Sequence, residues 1–319
     1  MSDHSLSETK TYTRRPLREL NLIDDFLFTS MLTEDGIAVP FSKLLLETIL
    51  QQRFSRIDVV PQRVFNGLDT DLHGIRLDAY IEAVPENDPR LTLFDIEPDN
   101  MDSRKQSLPR RNRYYSDVID ATRLESGTHY AALPDLVTIM ILSYDPFGQN
   151  AMYYEARSTL ITHPDVPYQD GIRRIYLYTG GVPDPGLGDY GATLRNMLQY
   201  IQQSTEDNVR DDVTSAIDRL VHQVKGRKGV DISYMMMSER IEWQIREACE
   251  EASAAASAAA RAETLAADAI AHVRSLRRRY HASDEDLTTD LINDFHIDPD
   301  QVAEILERAS QPEEDLVTT

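Results

Sequence analysis

Two hydrophobic periods run along this chain, and the switch between them marks the elements. Phe26, Leu27, Ser30 and Met31 fall at i, i+1, i+4 and i+5, which predicts a helix from about Leu22 with one inward face. Asp24 or Asp25 stands where an N-cap or a first-turn acid is favoured. Leu44, Leu45, Ile49 and Leu50 predict a second helix over 37–52. The text then turns strand-like. Residues 57–65 are rich in Val, and Ile75-Arg76-Leu77-Asp78-Ala79-Tyr80-Ile81-Glu82 alternates. In that run Leu77, Ala79 and Ile81 share one face, and Arg76, Asp78, Tyr80 and Glu82 share the other. A turn at 86–89 leads to a strand over 91–97, with Asp95 and Glu97 on one side and Phe94 and Ile96 opposite.

A helix is predicted over 109–126, with Pro109 in its first turn and Gly127 just past its end. The nearly unbroken apolar run 135–144 predicts a strand buried on both faces. Two more strands are predicted at 153–162 and 173–179. From Tyr190 the helical period returns, first with Leu194, Leu198 and Ile201, then over 208–225. One long helix is predicted over 233–280, and two short ones over 284–309, split at Asp298-Pro299. The expected layout is α/β: a mixed sheet flanked by helices over 20–189, after a polar tail at 1–19. An α-helical extension follows over 190–280, and a short helical tail over 281–319. Residues 252–269 are rich in alanine, which favours helix but buries little, so this stretch is expected to project or to self-associate.

Composition narrows the functional classes. Of 319 residues 41% are hydrophobic, enough for a packed core. Lys and Arg number 33 and Asp and Glu 54, a formal net charge of −21. Such a surface repels anions, so contact with phosphate must come from a local basic patch. The single cysteine, Cys249, excludes an internal disulfide and a multi-cysteine zinc site. No run approaches the ~18 apolar residues of a membrane span, and the start shows no apolar signal segment, so a cytoplasmic protein is expected.

Three features carry candidate chemistry. Gly186-Leu187-Gly188-Asp189-Tyr190-Gly191 has the form GxGxxG, but two prolines intervene after the strand and no second strand follows, so an ordinary loop and no dinucleotide are expected. The carboxylates Asp78, Asp95, Glu97 and Asp99 lie on two successive strands. If those strands are neighbours, Asp78 and Glu97 meet at one face, open to solvent, and with the carbonyl of Pro98 suit Mg²⁺. The alternative is a solvated strand face with no metal. Third, residues 103–113 hold Arg104, Lys105, Arg110, Arg111 and Arg113 and no acid, a local reversal of charge suited to phosphate or to pairing with nearby acids.

On these residues the chain resembles the PD-(D/E)XK nuclease family transposases, related to the Rpn family of recombination-promoting nucleases. The resemblance rests on Asp24-Asp25-Phe26-Leu27-Phe28, Arg76-Leu77-Asp78-Ala79, Phe94-Asp95-Ile96-Glu97 and Leu108-Pro109-Arg110-Arg111-Asn112-Arg113-Tyr114-Tyr115. It continues through Leu124-Glu125-Ser126-Gly127, Ile141-Leu142-Ser143-Tyr144-Asp145-Pro146-Phe147-Gly148, and Asp170-Gly171 followed by Ile175-Tyr176-Leu177-Tyr178-Thr179-Gly180-Gly181. It implies a restriction-endonuclease-like core and cleavage of DNA with Mg²⁺ or Mn²⁺. Asp78 and Glu97 match the metal-binding acids, Asp25 an acidic position on the first helix, and Arg111 and Tyr114 the Arg and Tyr of the later helix. Arg104, Lys105, Arg110, Arg111, Arg113 and Tyr114 are then the expected DNA contacts. The chain departs from the pattern at Asp99, where the wider fold has lysine and many relatives glutamine. Arg111, with Lys105 or Arg110, would supply that missing cation. On this pattern Asp99→Lys raises cleavage and Asp99→Ala is neutral. The rival expectation is a nuclease fold that binds DNA or a protein without cutting.

Overall fold

The apolar strands come together in a six-stranded mixed sheet of order β1-β4-β5-β6-β8-β7 in the computed structural model, which describes residues 15–61, 64–65, 75–76, 79–124 and 127–311. The strands are β1 (Phe54–Pro61), β2 (Val64–Phe65), β3 (Ile75–Arg76), β4 (Ala79–Pro85), β5 (Thr92–Asp99), β6 (Asp135–Leu142), β7 (Tyr153–Ala156) and β8 (Ile172–Tyr178). Strand β4 runs antiparallel to both β1 and β5, with Ala79 opposite Ile96 and Tyr80 opposite Asp95. Strands β5, β6 and β8 are parallel, with Glu97 level with Met140 and Tyr176. β7 closes one edge antiparallel to β8, and β2 and β3 pair separately.

The helices are α1 (Asp25–Thr33), α2 (Ala38–Leu50), α3 (Leu108–Ala121), α4 (Gly188–Gln202), α5 (Asp212–Lys225), α6 (Lys228–Tyr280), α7 (Asp284–Asn293) and α8 (Pro299–Ser310). One sheet face, with Ile81, Phe94, Ile96, Val137, Ile139 and Ile175, shares a hydrophobic cluster with residues of α1, α2, α4 and α5. Period two explains it: these are alternate residues on each strand, and the helices supply their apolar stripes.

The other face is covered by α3, and its chemistry changes along the helix. Leu108 joins Met140, Leu142, Tyr144 and Tyr176 at one end. Val118 and Ile119 join Tyr80, Leu93 and Leu136 at the other. Between them the inward residues of α3 are Asn112 and Ser116, both buried, over the cross-strand row Asp95, Thr138 and Arg174.

Several element ends differ from the periodic reading, each for a local reason. The helix predicted over 109–126 stops at Ala121. There Thr122 turns its N–H and its Oγ1 back onto the carbonyl of Ile119. The strand predicted over 153–162 ends at Ala156. Ser158 Oγ donates to Asp170 and the Ile172 N–H bonds the same carboxylate, which turns the chain into a loop. The long helix begins at Lys228 rather than 233. The glycine-rich stretch forms a short 3-10 turn, Pro185–Leu187, that runs into α4, with Asp184 Oδ1 accepting from the Gly186 N–H.

By contact density the chain divides at Met237/Ser238. In the second unit, Ala269 and Val273 of α6 pack with Leu287 and Leu291 of α7 and Val302 and Ile305 of α8. Arg274 and Arg277 reach from α6 to the last carbonyls of α8, Arg274 at 3.1 Å from Gln311 O and Arg277 at 3.2 Å from Leu306 O. Residues 243–265 of α6 are exposed throughout, as a stretch of alanine permits. No helix among the described residues is long and apolar enough to cross a membrane.

Two glycines test this packing from opposite directions. A Cβ on Gly181 would stand 2.5 Å from Met152 Cα and 2.6 Å from Ala151 O, both backbone atoms that cannot rotate away. A Cβ on Gly229, inside α6, meets nothing within 4 Å. Gly181→Ala should cost about 1–3 kcal/mol, and Gly229→Ala should stabilise by about 0.5–1 kcal/mol. Urea midpoints with unchanged slopes would measure both.

Candidate functional site

The site is assembled where β5 ends beneath the N-terminal half of α3. Successive odd residues of β5 point to the α3 face, so Asp95, Glu97 and Asp99 stand in a line, while Phe94 and Ile96 fill the opposite core. They are not a solvated strand face. Asp95 is 1% exposed, Glu97 8% and Asp99 5%. The expectation that Glu97 opens to solvent is therefore corrected: α3 lies over it.

Asp99 is fully engaged. Its Oδ1 accepts from the Met101 N–H at 2.9 Å. Its Oδ2 accepts from Arg111 Nη2 at 2.6 Å and lies 3.4 Å from the Tyr144 hydroxyl. Burial disfavours the charged form of Arg111, but the hydrogen bond and charge of Asp99, joined by Tyr115 and Glu97, hold its pKa above the ordinary value. Burial and the charge of Asp99 push the Tyr144 phenol up to about 12, so it stays a proton donor across neutral pH. The cation expected from Arg111 is thus present beside Glu97, and it is already matched by Asp99.

The other predicted residues fall in three places. Arg110, Arg113 and Tyr114 lie on the outward side of α3, exposed, and among the described residues neither arginine makes an ion pair. The backbone at Arg104 and Lys105 belongs to the 3-10 helix Asp102–Ser107, and their side chains lie outside the described residues. Asp78 lies outside them too; it directly precedes Ala79, the first residue of β4. Asp25 opens α1 on the other face of the sheet, exposed, in the layer that does not cover Glu97.

The sequence reading gave no role to four residues here. Tyr144 extends the α3-facing series 136, 138, 140, 142 of β6, so period two alone would have found it. Asn112 and Thr138 are buried, and the Thr138 hydroxyl has no hydrogen-bond partner among the described residues. Arg123, just past α3, donates to the Tyr80 hydroxyl at 2.7 Å and to Glu82, fastening the far end of the layer.

Glu97 is a hard oxygen ligand of the kind Mg²⁺ takes one or two of while keeping its waters. Among the described residues no group of three or more His, Cys, Asp or Glu is placed to hold a metal ion.

The buried pair makes a stability prediction that differs from the motif pattern. Asp99→Ala is not neutral in this setting, because it strands the Arg111 guanidinium, whose side chain is 18% exposed. It should cost about 3–5 kcal/mol. Arg111→Met should cost a similar amount, and the double variant much less than the sum, as read from chemical denaturation. Asp99→Lys should be the least stable, with two cations sharing one buried position. No protein-family model, curated protein or solved structure matches this chain.

Proposed function

We propose that this protein is a metal-dependent DNA endonuclease with a restriction-endonuclease-like core, of the transposase and recombination-promoting kind. One observation carries the reading. Glu97, Asp99 and Arg111 come together at the end of a parallel strand, beneath a helix whose outer side presents Arg110, Arg113 and Tyr114. The β4–β5 pairing supports it: β5 carries Glu97, and its sheet neighbour β4 begins at Ala79, the residue that follows Asp78 in sequence.

Glu97, with Asp78 as its proposed partner, would hold Mg²⁺ or Mn²⁺. When bound, the ion supplies charge stabilisation to a phosphodiester and a water of lowered pKa. Arg110 and Arg113 would bind the DNA backbone, and Tyr114 would pack against sugar or base. Asp99 fixes the Arg111 guanidinium by its hydrogen bond, so the cation beside Glu97 is oriented before substrate arrives. The net charge contributed by the pair is close to zero, so Asp99 does not add repulsion toward phosphate. The second reading, a nuclease fold that binds without cutting, is favoured by two features: Glu97 is covered, and Arg111 is already paired.

Nicking of supercoiled plasmid separates the two. With Mg²⁺ or Mn²⁺ the wild-type chain should convert supercoiled DNA to open circles, and chelation should stop it. Glu97→Gln and Asp78→Ala should each lower the rate by roughly two orders of magnitude or more. Binding with no nicking under any metal would favour the second reading. No DNA binding even at low salt would sink both DNA readings.

DNA affinity should also fall steeply with salt. Replacing Arg110 or Arg113 by Gln should reduce the slope of log affinity against log salt by about one each. Fluorescence anisotropy with a labelled duplex from low to physiological salt gives that slope directly. An unchanged slope in both variants would remove the outer side of α3 from the interface.

A further inference from the structure

The three parallel strands β5, β6 and β8 end at the same edge of the sheet. Ser143 N–H bonds Asp99 O at 3.2 Å, and Thr179 N–H bonds Leu142 O at 2.9 Å, so the chain continues past this edge in register. Beyond the ends of β6 and β8, the C-terminal turn of α4 and the segment leading into α5 enclose a cleft of about 330 Å³. Ligand sites in open parallel sheets form at this end of the strands.

The lining of the cleft is unusual for so acidic a chain. It includes Ser143, Thr179, Gln199, Gln202, Gln203 and Arg210, and among the described residues no carboxylate lines it. Arg210 makes no ion pair among the described residues. Its guanidinium is held by neutral oxygens: Gln199 Oε1, Asn208 Oδ1 at 3.0 Å and Asp207 O at 3.3 Å. Asn208 is itself fixed by donating to Gln203 O at 2.8 Å. The Gln202 Oε1 accepts from the Thr179 hydroxyl at 2.7 Å.

These bonds engage one lone pair of each amide oxygen and leave the amide donors. Gln199, with its oxygen on Arg210, and Gln202, with its oxygen on Thr179, each keep an N–H₂ to offer the cleft. Two amide donors and a guanidinium with an unmatched charge therefore line one concave space. A neutral ligand would leave that charge uncompensated; an oxyanion matches charge and donors together.

We propose that this cleft is a binding site for a phosphate group, with Arg210 supplying the charge and Gln199 and Gln202 orienting its oxygens. The site is separate from Glu97: it opens on the α4 side of the sheet edge, and Glu97 faces α3. The phosphate comes either from a small phosphorylated compound or from a nucleic-acid backbone.

Calorimetric titration of the full chain with inorganic phosphate and pyrophosphate at low ionic strength tests the proposal. Both should bind, and Arg210→Gln should weaken them at least tenfold. Because Arg210 also ties Gln199 and Asn208 in place, a second variant is needed. Gln202→Glu keeps an oxygen for Thr179 while placing a negative charge in the cleft, and it should weaken binding at least as much. Arg90→Gln, a cation outside the cleft that is paired with Asp88, should change nothing. Repeating the titration with a 5′-phosphorylated nucleotide and with a duplex lacking terminal phosphates separates the sources. Arg210-dependent binding of the first alone identifies a small compound, and of both a nucleic-acid backbone. Glu97→Gln should leave phosphate binding intact, so failure of the nuclease reading leaves this site standing. Absence of binding to the wild-type chain, or binding undiminished in both cleft variants, would overturn the proposal.

Discussion

An arginine and an aspartate held out of water, 2.6 Å apart, set the terms for everything around them. Charges so placed are tolerable as a pair, although the Arg111 Nε is buried with no hydrogen-bond partner among the described residues. The Met101 N–H and the Tyr144 hydroxyl fill the remaining bonds of Asp99. The pair in turn ties α3 to the end of β5 and sets a cation beside Glu97. The helix could not lift away without exposing Leu108, Ile119 and the tyrosines beneath them, nor slide without breaking the pair.

Much of the fold was legible because the strands keep period two and the helices keep their apolar stripes. The run 135–144 was readable as doubly buried from composition alone, and β6 is buried from Leu136 to Leu142. Phe94 and Ile96 fall opposite Asp95 and Glu97, as alternation required. Ends were harder. Thr122, closing α3, and Asp170, preceding β8, make side-chain hydrogen bonds to the backbone, which hydrophobic period does not encode.

The candidate site was legible in part, for a different reason. Spacing placed Glu97 and Asp99 on one face, but it could not say that the face is roofed. Nothing local reveals that Arg111, twelve positions along, turns inward to Asp99 while Arg110 and Arg113 turn out. One basic cluster is therefore divided between the interior and the surface. The cleft was not read from the sequence, since its lining comes from three separate stretches, at Ser143, at Thr179 and over 199–210, which only the fold brings together.

The polar band under α3 has a consequence for uniqueness. The inward side of the helix reads Leu108, Asn112, Ser116, Ile119: oily at both ends and polar in the middle. The sheet beneath repeats the order, with Met140 and Tyr176 at one end, Asp95 and Thr138 between, and Leu93 and Leu136 at the other. A uniformly greasy interface would let the helix settle one turn, ~5.4 Å, to either side at small cost. Here such a slip would press Leu108 onto Thr138 or strand Asn112 among leucines, so the two surfaces fit in one position, like a key whose notches admit a single depth.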